Sequence, residues 1–352
     1  MTIPTNSSSI RIALYGVAHG HISHYIEEFR KFTAVHLIGV YDADAERSLS
    51  FSDRHKLRKF DNPEELLSQH IDVVIVGCET AYHLDAITLS CRYVDNIALQ
   101  KPLATTVIDG RKILKEIQKA GVRLFVLWQM RVDPANQFIK QIIDEKRLGQ
   151  LLHFRRRHCL STHRWPDFQQ SWHVNRQLNL GMWADDAAHP IDLIRWLFGG
   201  PKTLYADIDT LVNPEVPDDN GIAIFRYDSG LFAEIQCSFT SDFGETTTEL
   251  VGTNGMLIQY YGDAPSCNQS EKLNYGLKWK IFGEEQWRKA EVVTPDTHAF
   301  RIKALAPKIL DFATGAYDPP STDEYLDSLK MTLLCYESSS QKKQIVLRDY
   351  AN

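Results

Sequence analysis

The sequence predicts a doubly wound α/β domain over residues 1–130, followed by an α+β domain over 131–352 whose sheet is open and largely antiparallel. Three observations predict it. Short apolar runs alternate with helical stripes through the first third of the chain. A glycine-containing turn separates the first run from the first stripe. Beyond residue 130 the runs follow one another through hairpin turns rather than through helices. A length of 352 residues suits about two such domains.

Ile10–Tyr15 is a buried-strand run that ends at Gly16. Ile22, Tyr25, Ile26 and Phe29 then fall at i, i+3, i+4 and i+7, one stripe of a helix. Val35–Tyr41 is a second strand. Asn62-Pro63-Glu64-Glu65 starts a helix, with a capping side chain, a proline in the first turn and acids near the positive end of the dipole. Val73–Val76 and residues 97–99 are further strands. Ile113, Leu114 and Ile117 stripe a helix that Gly121 stops, and 124–127 closes the series. Apolar strands alternating with helices mean a parallel sheet covered on both faces, with ligands bound beyond the carboxyl ends of the strands.

Asp133-Pro134 then breaks the chain, and Phe138, Ile139, Ile142 and Ile143 stripe a helix. Strand-like runs occupy Leu151–Cys159, 203–212, 222–227, 231–239, 246–251 and 256–261. Asp228-Ser229-Gly230 and Asn254-Gly255 are hairpin signals. Two helices near 299–314 and 322–339 complete the reading.

Composition narrows the function. With 43% hydrophobic and 24% charged residues the chain is globular in type. Lys plus Arg total 39 against 45 Asp plus Glu, a net charge of −6, which gives no electrostatic reason to seek nucleic acid or an anionic membrane. Cys78, Cys91, Cys159, Cys237, Cys267 and Cys335 form no C-x-x-C pair, which argues against a zinc knuckle and for reduced thiols in the cytoplasm. Residues 1–9 are polar and lack the basic and apolar regions of a signal peptide, and the longest apolar runs fall far short of the roughly 20 residues that span a bilayer.

The chemistry-bearing residues follow strand ends. Gly16-Val17-Ala18-His19-Gly20-His21 opens the first helix, where backbone N–H groups would hold a pyrophosphate. The fingerprint of such turns wants small residues at its first, third and sixth positions; Gly16 and Ala18 supply two, His21 departs, and Gly20 sits one place early. His19 and His21 are within reach of the same phosphates. Asp42, at the end of the second strand, is the acid expected at the adenosine ribose, with Asp44 as a substitute; its charge would repel a 2′-phosphate and so favours NAD over NADP. Glu79 and Thr80 follow a central strand and would line the groove.

Lys101, in Gln100-Lys101-Pro102, lies where a nicotinamide would, and its ammonium suits a substrate oxygen that gains charge as hydride moves. Asp185 and His189 are four apart, a spacing that lets a carboxylate orient an imidazole that acts as base. Two alternatives stay open: a structural Asp–His pair, or a metal site completed by Asp192. Pro190 fits a helix there only in its first turn. Trp172 and His173, in an aromatic- and His-rich stretch with His158, His163, Arg164 and Trp165, suit a polyol substrate.

With these residues in view, the chain resembles the glucose-fructose oxidoreductase/inositol dehydrogenase/MocA (Gfo/Idh/MocA) family from about residue 10 to 350. The family's E-K-P motif reads Gln100-Lys101-Pro102 here, with Gln in place of Glu. Its G-G-G-x-L-x-D-x-G-x-H-x-x-D pattern reads from Asn179 through Gly181 and Asp185 to His189 and Asp192; Gly181 alone remains of the triplet, and Ala187 replaces the later glycine. The N-R-R-F-D-P junction is similar to Gln129-Met130-Arg131-Val132-Asp133-Pro134. The T-P-N-H-x-H loop is matched by Thr80 and His83.

The resemblance implies a Rossmann domain carrying NAD(P), with Gln100 and His83 among its contacts. It implies a second domain whose sheet joins subunits into a dimer or tetramer, and proton transfer and substrate positioning by Lys101, Asp185 and His189. The implied activity is hydride transfer between nicotinamide and a secondary alcohol or ketone of a sugar, polyol or related compound. The family also contains redox-neutral glycoside-cleaving members and NAD(P)-binding sensors, which stand as alternatives.

Overall fold

The structure, a computed structural model, describes residues 9–241, 246–261, 276–292 and 299–350. Cys267 and residues 1–8, which carry the signal-peptide reading, lie outside them. The chain forms two units. The first runs to Leu127 and takes back Ile302–Leu326; the second comprises Trp128–Arg301 and the chain from Asp327 onward. The expected division into 1–130 and 131–352 therefore differs at its far end, where a helical segment returns to the first unit.

The first unit alternates β1 (Ile10–Tyr15), α1 (His21–Phe29), β2 (Val35–Tyr41), α2 (Ala45–His55), α3 (Pro63–Leu67), β3 (Val73–Val76), α4 (His83–Ser90), β4 (Asn96–Leu99), α5 (Val107–Ala120) and β5 (Arg123–Val126). The strands pair in the order β2-β1-β3-β4-β5, all parallel. Every side chain of β3 and β4 is buried, which is why both read as unbroken apolar runs. The order reverses between β1 and β3, so the crevice for a ligand opens beyond Tyr15 and Val76.

Helix α2 has no apolar stripe to betray it. It buries Ser48, Phe51, Ser52 and His55, and it starts because the Asp44 carboxylate accepts from the Glu46 and Arg47 N–H groups at 3.0 Å. The returning segment is fixed by Arg123, which donates to the carbonyls of Phe312 (2.8 Å) and Tyr317 (2.9 Å), while Phe125 packs on both rings.

The second unit contains α6 (Pro134–Asp144), β6 (Leu151–Cys159), α7 (Arg176–Asn179), α8 (Ala188–Phe198), β7 (Thr203–Asp209), β8 (Asn220–Arg226), β9 (Phe232–Ser238), β10 (Thr246–Gly252), β11 (Gly255–Tyr261), β12 (Leu277–Ile281) and β13 (Arg288–Lys289). Helix α9 (Ala299–Ala313) and helix α10 (Thr322–Gln341) each pass from one unit to the other, and β14 (Ile345–Val346) ends the sheet. The nine strands pair in the order β13-β12-β11-β10-β6-β9-β8-β7-β14. All neighbours are antiparallel except β6 and β9.

One face of this sheet buries Phe154, Ala223, Phe225, Ala233, Ile235 and Leu250 beneath Ile139 and Ile142 of α6, Ile191 and Ile194 of α8, and Met331 and Leu334 of α10. The other face leaves Ile222, Ile224 and Phe232 exposed. The strand expected over 203–212 stops at Asp209, because the buried Asp219 carboxylate draws off the N–H groups of Leu211 (2.7 Å) and Val212 (3.0 Å).

Candidate active site

In the first unit, β1 ends in a turn that only glycine fits. Gly16 has φ +79°, and a Cβ there would stand 2.5 Å from the Cys78 backbone nitrogen at the end of the neighbouring strand. Gly16 donates to the Tyr41 carbonyl (2.7 Å) and His19 N–H to the Gly77 carbonyl (3.0 Å), so the turn is stitched across the strand-order reversal. Ala18 is half-buried. His19 and His21 are buried, with ring centroids 4.1 Å apart. Gly20 is exposed, with no atom within 4 Å of the position a Cβ would take. It caps α1 without a side-chain bond, and the first turn of α1 carries no acid. Gly20 leaves the start of α1 uncrowded and the positive dipole end there favours an anion such as a pyrophosphate, while the N–H groups of His21 and Ile22 are directed at His19 Nδ1 (3.4 Å) and the His19 carbonyl (3.2 Å).

Asp42 is held more firmly than a ribose-reading acid needs to be. Its carboxylate accepts from Val17 N–H (2.7 Å), Asp44 N–H (2.9 Å), Arg47 Nε (3.0 Å) and Arg47 Nη2 (2.8 Å), which fills its acceptor positions. It ties the phosphate turn to α2. Arg47 Nη1 also reaches Glu79 Oε1 at 2.9 Å. Two carboxylates around one guanidinium leave this rim with a net negative charge and its arginine committed, an environment that disfavours a phosphate. Arg47 has no signal in the sequence beyond its place three residues after a helix cap.

Thr80 and Glu79 are buried beyond β3. His83 is buried too, with Nδ1 3.3 Å from the Leu103 carbonyl, and burial pulls its imidazole down to about 4, so it stays neutral. It braces the loop that follows β4. Gln100 is fully buried and donates to the Tyr25 hydroxyl at 2.8 Å, so an uncharged amide ties β4 to α1. Lys101 is buried at the carboxyl end of β4, ahead of a cis bond to Pro102.

In the second unit, residues 183–187 form a single π-helical turn, Trp183–Ala187, which runs directly into α8. Pro190 therefore lies inside a continuous helical run, 182–198, just beyond the π turn, and not in the free first turn that its missing N–H would suit. π-turns tend to occur at functional sites. Gly181 precedes the turn, and a Cβ there would meet Asp218 Oδ2 at 2.3 Å. Asp218 in turn accepts from Tyr336 Oη (2.9 Å), and Tyr336 Oη accepts from Ala184 N–H (3.0 Å), which anchors the turn from behind.

The two acids of the turn go to different imidazoles. Asp185 Oδ2 lies 2.9 Å from His173 Nδ1, which therefore carries its proton there and keeps Nε2 as an acceptor. His189 is buried, with Nε2 3.7 Å from Asp186 Oδ1. Sequence spacing pointed to Asp185 as the partner of His189 at i, i+4; the acid placed against His189 Nε2 is Asp186, at i, i+3. Trp172 stacks on His173 with centroids 3.9 Å apart, and Phe168 lies parallel to His173 at 6.4 Å. Trp128 stands edge-on to His189 at 5.8 Å.

Asp192 does not share this cluster. It is fully buried, holds Arg131 through two 2.8 Å bonds and accepts from Ser328 Oγ at 2.8 Å. Its carboxylate is spent on fastening α8, which removes the donor that the metal alternative needed. Among the described residues no cluster of His, Cys, Asp and Glu has a metal-binding arrangement.

Residues 10–127 match the model of the oxidoreductase family with an NAD-binding Rossmann fold, and residues 136–258 match the Gfo/Idh/MocA C-terminal domain. The chain belongs to the Gfo/Idh/MocA oxidoreductase family. Its first unit is thereby an NAD-binding Rossmann fold, and the turn at Gly16 with the open end of α1 fits that cofactor. Among curated members, a 1,5-anhydro-D-fructose reductase of Ensifer adhaerens is 26% identical over 231 residues, 64% of this chain and 68% of that protein. A myo-inositol 2-dehydrogenase of Thermotoga maritima is 22% identical over 316 residues, 87% of this chain and 92% of that one. The solved WlbA dehydrogenase of Bordetella pertussis, in complex with NADH and UDP-GlcNAcA, shares the fold with a TM-score of 0.78 at 21% identity, covering 96% of this chain and 99% of the other. Among the described residues no helix is long and apolar enough to cross a membrane.

Proposed function

We propose that this oxidoreductase interconverts a secondary alcohol and the matching ketone on a sugar, polyol or related ring compound. The observation that carries the reading is the π turn. It presents two acid–imidazole pairs, Asp185–His173 and Asp186–His189, beside the stacked Trp172. When bound, NAD supplies the hydride acceptor. Oxidising an alcohol also releases a hydroxyl proton, and moving that proton is the task of this chain's residues.

His189 is the base that takes it. His173, with Nδ1 fixed by Asp185, offers Nε2 to a neighbouring hydroxyl, and Trp172 offers an aromatic face to the C–H bonds of a ring. Lys101 donates to the oxygen as it becomes a carbonyl. The Asp42–Arg47–Glu79 rim supports NAD over NADP. A panel of polyols, sugars and sugar acids, read by NADH absorbance, tests the reading. On the substrate so found, Lys101→Ala and His189→Ala are each expected to lower turnover by about 100-fold or more. Full turnover in either would refute that residue's role. Tight NAD binding without turnover across the panel would favour a sensor, and product without net NADH would favour glycoside cleavage.

The open face of the second sheet supports association with a further copy of the chain. Ile222, Ile224 and Phe232 are exposed there beside Arg155 and Glu234, whose charges lie 3.7 Å apart, a mixed apolar and charged surface that can complement itself across a two-fold axis. Among the described residues Cys78, Cys91, Cys237 and Cys335 are in no disulfide, which supports a reducing compartment such as the cytoplasm.

A further inference from the structure

We propose that Asp186 and His158 are positioning residues for His189: one carboxylate, shared by two buried imidazoles, sets which nitrogen of His189 is basic and receives the proton that His189 collects. The inference rests on the reading of His189 as the base.

His158 occupies a core-facing position of β6. In register it lies between Thr246 of β10 and Cys237 of β9, on the strand face that also carries Phe154 and Arg156. Packing alone would favour an apolar residue there, because burying an imidazole without partners is costly. Neither ring nitrogen of His158 has a hydrogen-bond partner among the described residues. Its Nε2 nevertheless points at a charge, Asp186 Oδ1, at 3.5 Å. The same Oδ1 lies 3.7 Å from His189 Nε2, and the two imidazole rings are 6.4 Å apart. Asp186 thus stands between the two rings. Asp185, its neighbour in the turn, serves His173 instead.

The geometry decides a tautomer. A carboxylate facing His189 Nε2 favours the proton on that nitrogen and leaves the lone pair on Nδ1, so Nδ1 is the basic atom. The proton balance closes: the substrate O–H proton enters at Nδ1, the proton on Nε2 moves to Asp186 Oδ1, and from there one passes to His158 Nε2. No electrons are exchanged in the relay. Gaps of 3.5 and 3.7 Å exceed a direct hydrogen bond, so each transfer needs a small closing motion or a bridging water. Groups around the pair include Trp128 against His189, Phe239 against His158 at 6.5 Å, Cys237 beside His158 across the strands, and Arg156 two residues back along β6.

Nitrogen-15 histidine labelling of the full chain, with long-range proton–nitrogen correlation, reads tautomers without needing a substrate. His158→Gln and His189→Gln assign the two rings. Expected are an Nε2–H tautomer for His189 and, in Asp186→Asn, loss of that preference, because the carboxylate that fixes it is gone. The tautomer of His173 should not change. An Nδ1–H tautomer at His189, an unchanged tautomer in Asp186→Asn, or an equal change at His173 would overturn the proposal.

With a turned-over alcohol in hand, Asp186→Asn and His158→Gln should each lower kcat about tenfold with KM nearly unchanged, and Asp186→Glu should recover part of the loss. If His189→Gln abolishes turnover while Asp186→Asn is silent, the relay falls and the base stands. If no alcohol is turned over, the assignment of the base falls, and the tautomer measurement still decides the placement of Asp186.

Discussion

Replacing Arg131 with methionine tests which residues of the second unit are scaffold and which are chemistry. Asp192 has no exposed surface, and its two oxygens receive two bonds from Arg131 and one from Ser328. Methionine fills much of the arginine's volume but leaves the carboxylate with a single hydroxyl partner. Removing one member of a buried pair costs about 3–5 kcal/mol, because the remaining charge is desolvated without compensation. For a unit of this size that is a fall in melting temperature of roughly 6–20 °C, at about 2–4 °C per kcal/mol. Asp192 lies one turn beyond His189 on α8, so the helix that carries the base loosens with it. The assay is a calorimetric or fluorescence melt of the wild type, Arg131→Met, Asp192→Leu and the double variant. The double variant should recover most of the loss, since an apolar pair can replace an ion pair. A loss below about 1 kcal/mol in Arg131→Met, or a double variant no better than the single, would show that the pair does not hold α8 and refute the scaffold role.

Gly16→Ala forces a Cβ against the Cys78 backbone at positive φ and should weaken NADH binding more than tenfold in a fluorescence titration; retained affinity would show that the turn can relax. His83 titrates near 4 in the folded chain and near 6.5 when unfolded, so it is neutral when folded and takes up a proton on unfolding below about pH 6.5. Its share of stability is intact above that value and falls steadily towards pH 4, by about 2 kcal/mol at pH 5, and His83→Gln should flatten that slope in urea melts. Asp185→Asn should lower kcat by about tenfold or more and release the His173 ring from its fixed tautomer, seen in the same nitrogen-15 spectra. Phe232→Asp should shift sedimentation from an assembly towards the monomer if the open sheet face joins copies of the chain.

The central strands of the first unit were legible because their side chains are buried on both faces. Val73–Val76 is the clearest case, an unbroken apolar run, and the order of elements around it follows from the handedness of parallel connections. Helix α2 was not legible. It packs serines and a histidine rather than a leucine stripe, and only its cap at Asp44 marks it. The return of Ile302–Leu326 to the first unit was hidden as well, because periodicity shows that a segment is helical and not which sheet it lies against. The parallel pairing of β6 with β9 escaped for a similar reason: hairpin signals report neighbours in sequence, and these two strands are joined by long-range packing. In the candidate site, Lys101, Asp185 and His189 were singled out from residue type and spacing. Asp186 was not, because the part proposed for it depends on a π turn, which shifts by one residue the side chains that share a face.

The matched motif letters divide into two physical jobs, and the structure sorts them. Gly16 is required because Cys78 stands against it, and Gly181 because Asp218 does; neither position admits a side chain without moving a neighbour. Asp192 is a clamp on Arg131, and Gln100 is an amide tie to Tyr25. These residues shape the walls. Gln100 occupies a fully buried position where a neutral side chain bonds a tyrosine hydroxyl at 2.8 Å, so replacing an acid there removes a buried charge and leaves the wall standing. The substitution therefore speaks to how β4 is fastened to α1. On the proposed reading, turnover depends instead on the imidazoles that face the π turn, His173 at Asp185 and His189 at Asp186.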